Sequence, residues 1–278
     1  MVPNQPSEAQ LCSEGCLEYW KKYYICHHIY CLIVMNTSVL DATSDPMGAA
    51  MQDFMQTGRA AKLRVLSSLF EEDEIPVSLL FREEKDMSPL ERMALDNSKG
   101  RVLDIGAGSG CHSLVLQQRG LQVTAIDVSP LSVQVQQARG VQDARLVNLF
   151  DPTFAEQFDT ILLLMNGSGI VGKLENMPAF FEKMKLLLAP GGSIYMDSSD
   201  LRYIFENEDG SMDIDLNAAY YGEVDYQMKY RKVCGSEFDW LYVDFDTLCY
   251  YATESGFRAT KVQDGAHYDY LARLERIK

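Results

Sequence analysis

One stretch constrains the fold of this chain more than any other. In VLDIGAGSGCHS, Val102 to Ser113, three apolar residues and an acid lead into glycine at 106, 108 and 110. The apolar half reads as a buried strand and the second half as the mouth of a helix. Glycines at such a junction let the backbone turn tightly and approach a ligand closely. They point to an open parallel sheet, in which ligands sit outside the carboxyl ends of the strands.

The downstream sequence keeps the same rhythm. RVLDI is followed by a helix over SGCHSLVLQQRG, QVTAID by a helix over PLSVQVQQARG, and ARLVN is a short third strand. FDTILLLM is a continuous apolar run, as expected when both faces of a strand are covered. A helix from Pro178 to Leu188 then leads through APGG to a fifth strand, SIYMD. Alternation of this kind builds an α/β, doubly wound sheet with right-handed crossovers. After Asp200 the rhythm changes, and residues 201–245 hold two strand-like segments around CGSE. A helix from Asp246 to Ser255 and a closing hairpin of RATKVQ and YDYLARLER complete the chain.

Ahead of the sheet, residues 35–98 read as a helical N-terminal cap on the main domain, which spans 99–278. Asp45 before Pro46 is a helix start, and Ser88, Pro89 and Glu91 form a capping box. Between them, RVLSSLFEEDEIPVSLLFREE combines a short apolar segment with an acidic loop. Residues 1–34 differ in character and read as an extraneous or disordered leader, with Met35 as the expected natural start. Cys12, Cys16, His27, His28, Cys26 and Cys31 lack the compact spacing of a structural zinc site, so no metal is expected. The apolar run from Ile25 to Met35 is shorter than the ~20 residues of a membrane span.

Charge narrows the partners. With 40 acidic against 25 basic residues the net charge is −15, which repels phosphate backbones, and no basic cluster offsets it. Nucleic acid and membrane are therefore not expected as partners. Seven scattered cysteines form no disulfide framework and fit a reducing, cytoplasmic setting. The oligomeric state is left open.

The dinucleotide fingerprint Gly-x-Gly-x-x-Gly would place its third glycine at 111, where this chain has Cys111. The pattern Asp104-Ile-Gly106-Ala107-Gly108-Ser-Gly110, with Asp127 ending the second strand, FDTILL and LLLAPGGSIYM, resembles class I S-adenosylmethionine-dependent methyltransferases. The resemblance covers residues 100–200. It implies a seven-stranded Rossmann-like sheet with an antiparallel last strand, and S-adenosyl-L-methionine as cofactor. Residue by residue, it implies Asp104 near the methionine amino group and Gly106, Ala107, Gly108 and Gly110 beside the cofactor. Asp127 would hold the ribose, with Val128, Asn148 and Leu149 at the adenine. Asn148 reads equally as a plain turn residue.

Asn166, ending the fourth strand, sits where methyl donor and acceptor should meet. Candidates for a general base are Asp197 and Asp200 after the fifth strand and His267 in the terminal hairpin turn, each with a turn, cap or loop role as the alternative. His112 reads as packed, and Arg82 as half of a surface salt bridge. MNGSG at the fourth strand's end departs from the Asn/Asp-Pro-Pro-aromatic sequence of methylases that modify amino groups on bases or glutamine. The expected acceptor is therefore a small molecule, with a protein second. Tyr220, Tyr221, Tyr226, Tyr230, Trp240 and Tyr242 make 201–245 a substrate-side insertion, with packing of the two strands as the alternative role for half of them. A NAD-type oxidoreductase and a catalytically silent S-adenosylmethionine-binding protein remain as alternatives.

Overall fold

The computed structural model describes residues 35–207, 209, 211–213 and 219–277. The leader, with its cysteines and histidines, lies outside the described residues. Helix α1, Pro46–Thr57, starts where expected: the Asp45 carboxylate accepts from the Gly48 N–H at 2.8 Å, and Gly58 ends it at φ 69°. Two short strands follow, β1 (Leu63–Leu66) and β2 (Asp73–Ile75), paired antiparallel. The segment read as an apolar stretch and an acidic loop is thus a hairpin, so the cap is helical at its ends and β in the middle. Helix α2, Pro89–Asp96, carries the full capping box, with Ser88 and Glu91 each accepting from the other's backbone N–H.

The main domain runs β3 (Arg101–Ile105), α3 (Cys111–Gln118), β4 (Gln122–Asp127), α4 (Pro130–Arg139), β5 (Ala144–Leu146), β6 (Phe158–Leu163), α5 (Met177–Leu187) and β7 (Leu188–Ser199). The insertion adds β8 (Glu223–Tyr230), β9 (Val233–Cys234) and β10 (Phe238–Leu241). Helix α6 (Phe245–Glu254) and the hairpin β11 (Phe257–Asp264) and β12 (Asp269–Arg276) close the chain.

Among the described residues there are two sheets. The larger has seven strands in the order β11-β12-β7-β6-β3-β4-β5. Strands β5 to β7 run parallel, and β12 pairs antiparallel with both β7 and β11. This is a seven-stranded Rossmann-like sheet with an antiparallel last strand, as the resemblance implies. Helices cover both faces. Leu103, Ile105, Ile161 and Leu163 pack with Phe180, Phe181 and Met184 on one face. Val102 and Leu162 pack with Leu95, Val115 and Leu116 on the other. Strand order reverses between β3 and β6, which puts the crevice at the carboxyl end of β3, where the glycine turn lies.

The smaller sheet, β10-β8-β1-β2 with β9 on β8, joins the N-terminal hairpin to the insertion. Leu63 faces Tyr230 across β1 and β8, and Val224 faces Trp240 across β8 and β10. Its apolar side is anchored at one end by Ala50, Met51 and Phe54 of α1, which pack on Leu63 and Tyr230. At the other end Trp240 lies against Gly169, so tightly that a Cβ there would fall 1.8 Å from the indole. Gly169 belongs to the turn after β6, so this sheet reaches from α1 to the turn that follows the central strands. It forms a roof over their carboxyl edge.

Candidate functional site

The glycine turn is shaped by three left-handed residues, Gly106 (φ 68°), Gly108 (φ 56°) and Gly110 (φ 84°). Gly110 is packed underneath, where a Cβ would meet Val141 at 2.7 Å. A Cβ on Gly108 would find nothing nearer than the Gly106 carbonyl at 4.0 Å, so bare backbone faces open space there. Three of the turn's donors are taken within the fold. The Gly106 and Ala107 N–H groups donate to the Ile126 carbonyl at 2.9 and 3.1 Å, and the Gly108 N–H donates to the Asp127 carboxylate at 2.8 Å. The amino end of α3 is also taken, because the buried Asp104 carboxylate accepts from the Ser113 hydroxyl at 2.6 Å and from the Ser113 backbone.

A pyrophosphate needs free N–H groups at this place. Here the Gly106 and Ala107 N–H groups are held by a backbone carbonyl and the Gly108 N–H by a carboxylate. What the turn offers is negative charge: Asp104, Asp127 and Asp197 gather at the same sheet edge. Burial raises the Asp104 carboxyl above the usual range, opposed by His112 and Ser113. Burial also pushes Asp127 up to about 6, against the Ser129 and Gly108 N–H groups and with help from Asp45 and Asp104. Asp197 is likewise pushed up to about 6 by burial, against the Gly167 and Met165 N–H groups. Carboxylates held this way favour a ligand that brings positive charge. The methionine end of S-adenosylmethionine carries an ammonium and a sulfonium, and so fits.

Asp197 does not stand free as a base. Its carboxylate accepts from the Met165 N–H at 3.0 Å and the Gly167 N–H at 2.9 Å. Between them Met165 (φ 67°) and Asn166 (φ 56°) are both left-handed without being glycine, a strained pair that the carboxylate clamps. Asn166 is half-buried at that turn, and its side-chain carbonyl accepts from the Ser199 hydroxyl at 2.9 Å. The clamp therefore aims Asn166 at the end of β6, beside β7.

On the other side of the turn, Asp127 accepts from Ser129 as well as Gly108, which fixes the carboxylate at the end of β4. Val128 is half-buried, and its carbonyl accepts from the Leu40 N–H at 2.8 Å. Asn148 serves as a turn residue: its carbonyl accepts from the Phe150 N–H at 2.9 Å, and its amide donates to the Ser38 carbonyl at 2.8 Å. Leu149 points into the core at 3% exposure. His267 stands exposed at the tip of the β11–β12 hairpin, where its backbone N–H donates to the Asp269 carboxylate at 2.8 Å. Asp200 caps a short 3₁₀ helix and pairs with Arg202 at 2.7 Å. An open cleft beside it is lined by Asp200, Arg202, Lys261, Asp264 and Tyr268, with Lys261 paired to Asp264 at 2.9 Å.

A buried ionic group lies behind Asp104 that sequence reasoning read only in parts. Arg82 is not a surface residue: its guanidinium is buried against the Glu91 carboxylate, and His112 approaches the same oxygen at 2.7 Å. Burial would raise Glu91, but hydrogen bonds and charge from His112 and Arg82 outweigh it and hold the carboxyl down at about 2. The capping box revealed why Glu91 is acidic and concealed its second use. Among the described residues no group of three or more His, Cys, Asp or Glu could hold a metal, and no helix is long and apolar enough to cross a membrane.

Comparison with known proteins bears on the same site. A family model described as a methyltransferase domain matches residues 80–260. The crystal structure of an S-adenosylmethionine-dependent methyltransferase from Bacteroides fragilis, in complex with S-adenosyl-L-homocysteine, is 61% identical with a TM-score of 0.83, covering 88% of this chain and 100% of that one. A ubiquinone biosynthesis O-methyltransferase of Xanthomonas oryzae is 33% identical over 115 residues, 37% of this chain and 45% of that protein. The cypemycin N-terminal methyltransferase of a Streptomyces species is 29% identical over 102 residues, 36% of this chain and 42% of that protein. The chain thus spans less than half the length of these curated relatives.

Proposed function

We propose, for a chain that belongs to the S-adenosylmethionine-dependent methyltransferase family, that it methylates a small-molecule acceptor held between the sheet edge and the roof. The cofactor is S-adenosyl-L-methionine, which supplies an activated methyl group on a sulfonium when bound. The observation that carries the site assignment is the glycine turn, with N–H groups held by Ile126 and Asp127, the buried Asp104 and Asp197 carboxylates and the half-buried Asp127 carboxylate around it.

In this reading Asp127 accepts from the ribose hydroxyls, with Val128, Asn148 and Leu149 along the adenine. Asp104 and the backbone of Gly106, Ala107, Gly108 and Gly110 line the methionine end. Methyl transfer from a sulfonium is an in-line displacement, so the protein's task is alignment and exclusion of water. In this reading Asn166, whose turn is held by Asp197, lines the junction of donor and acceptor, and the second sheet keeps water from that junction. The small-molecule reading is supported by the acidic surface, by the roof, and by the ubiquinone-pathway name of one set of relatives.

Two measurements test this. Calorimetry should show saturable binding of S-adenosylmethionine and none of NAD. Labelled methyl groups should then pass from the cofactor to the dialysable fraction of a cell extract. Label appearing only in the non-dialysable fraction would transfer the acceptor assignment to a protein.

A further inference from the structure

The roof carries a pair of hydroxyls whose protons do not balance. Tyr226 on β8 and Tyr242 just after β10 meet oxygen to oxygen at 3.0 Å. Each phenol brings one proton, and one of the two closes the contact between them. The other has no partner among the described residues, although both side chains are half-buried. Burial raises both phenols above their usual value, so both keep their protons at neutral pH. Tyr203 lies close enough to act electrostatically on each.

The position of the pair is fixed by its neighbours. Leu241, before Tyr242, receives the Ser168 hydroxyl on its carbonyl at 2.8 Å, and Val243, after it, donates its N–H to the Ser198 hydroxyl at 2.9 Å. Ser168 and Ser198 are bonded to each other at 2.8 Å. Ser168 follows Asn166 by two residues and Ser198 precedes Ser199, the residue that donates to Asn166. Tyr242 is therefore tied on both sides to the turn where donor and acceptor are placed. Aromatic rings stand beside the pair: Phe238 lies 6.1 Å from the Tyr226 ring, tilted at 47°, and Trp240 stands edge-on to Phe238 at 6.0 Å.

We propose that the Tyr226–Tyr242 pair is the acceptor-recognition point of the site, and that it selects a flat apolar molecule bearing an oxygen with a free lone pair. This rests on the methyltransferase reading above and names the substrate class for it. The spare O–H donates to that oxygen, and the Phe238 and Trp240 rings receive the flat body. An ammonium has no lone pair to offer and leaves the spare proton unmet in a half-buried place, which costs affinity.

The full chain, saturated with S-adenosylhomocysteine, is titrated with phenol, with toluene as its isostere lacking the hydroxyl, and with benzylammonium. Phenol should bind about tenfold tighter than toluene, the worth of one such hydrogen bond. The Tyr226→Phe/Tyr242→Phe double variant should bring phenol down to the toluene level and leave toluene binding unchanged, whereas each single variant keeps one O–H free to donate and with it the preference for phenol. Unchanged S-adenosylhomocysteine binding in all three variants shows that the fold persists. Equal binding of phenol and toluene to the native chain overturns the proposal, as does a phenol preference that survives both substitutions, or benzylammonium binding tighter than phenol. Loss of S-adenosylhomocysteine binding by the native chain is a separate result and refutes the cofactor reading instead.

Discussion

Replacing Glu91 with glutamine removes one charge from the buried group behind the cofactor site and little else. Glutamine keeps the length of the side chain and an oxygen that can still accept from the Ser88 N–H, now at 2.8 Å, so the helix cap survives. What is lost is the anion between Arg82 and His112, whose side chains are 5% and 8% exposed. The Glu91 carboxyl is held at about 2 against an ordinary 4.5. At about 1.4 kcal/mol per pH unit, that difference corresponds to a stabilisation on the order of 3 kcal/mol at pH 7. A buried guanidinium left without its partner costs about the same, roughly 3–5 kcal/mol. The folded carboxyl titrates below its unfolded value. Its contribution is therefore complete above pH 4.5 and drains away as pH falls toward 2. Glu91→Gln should lower stability in urea by about 3 kcal/mol at pH 7 and the melting temperature by roughly 6–12 °C. The gap to the native chain should narrow by about 1.4 kcal/mol per unit below pH 4.5. A loss under about 1 kcal/mol, or a gap independent of pH, would refute the assignment of a buried, working charge.

The acids at the sheet edge make further tests. Asp127→Ala should weaken S-adenosylmethionine binding by about ten- to a hundredfold in calorimetry, since it removes a charged acceptor and frees the Gly108 N–H. Unchanged affinity would remove the ribose assignment. Asp127 is raised from 3.8 to about 6, so its carboxylate form fades as pH falls through 6, and cofactor affinity should fall with it; Asp127→Asn should flatten that dependence. Asp197→Ala leaves two backbone N–H groups unpaired at a strained turn, so kcat should drop by about a hundredfold while cofactor affinity holds. Equal losses in both would show that the clamp also shapes the cofactor crevice. Gly169→Ala drives a methyl into Trp240 and should cost about 1–3 kcal/mol in thermal or urea unfolding.

The sequence by itself determined what depends on neighbours a few residues apart. Capping residues at Asp45 and Ser88 start α1 and α2, glycines 106, 108 and 110 shape the turn, and the apolar run of FDTILLLM becomes a strand covered on both faces. These local signals carry the seven-stranded sheet and, with Asp104 and Asp127, the cofactor. Tertiary structure decided what depends on residues far apart in the chain. β1 finds β8 across most of the domain, and no spacing announces a pairing between them. Arg82 meets Glu91 and His112 from three different elements, which turns an expected surface pair into a buried group. The oxygens of Asp197 and Asn148 are held by the backbone N–H groups of Met165, Gly167 and Phe150, and no spacing in the sequence announces those pairings for Asp197. A side chain's chemistry is written in its type. Its use is settled by which donors the packed chain brings within 3 Å, and buried polar groups go to the donors that would otherwise remain unpaired.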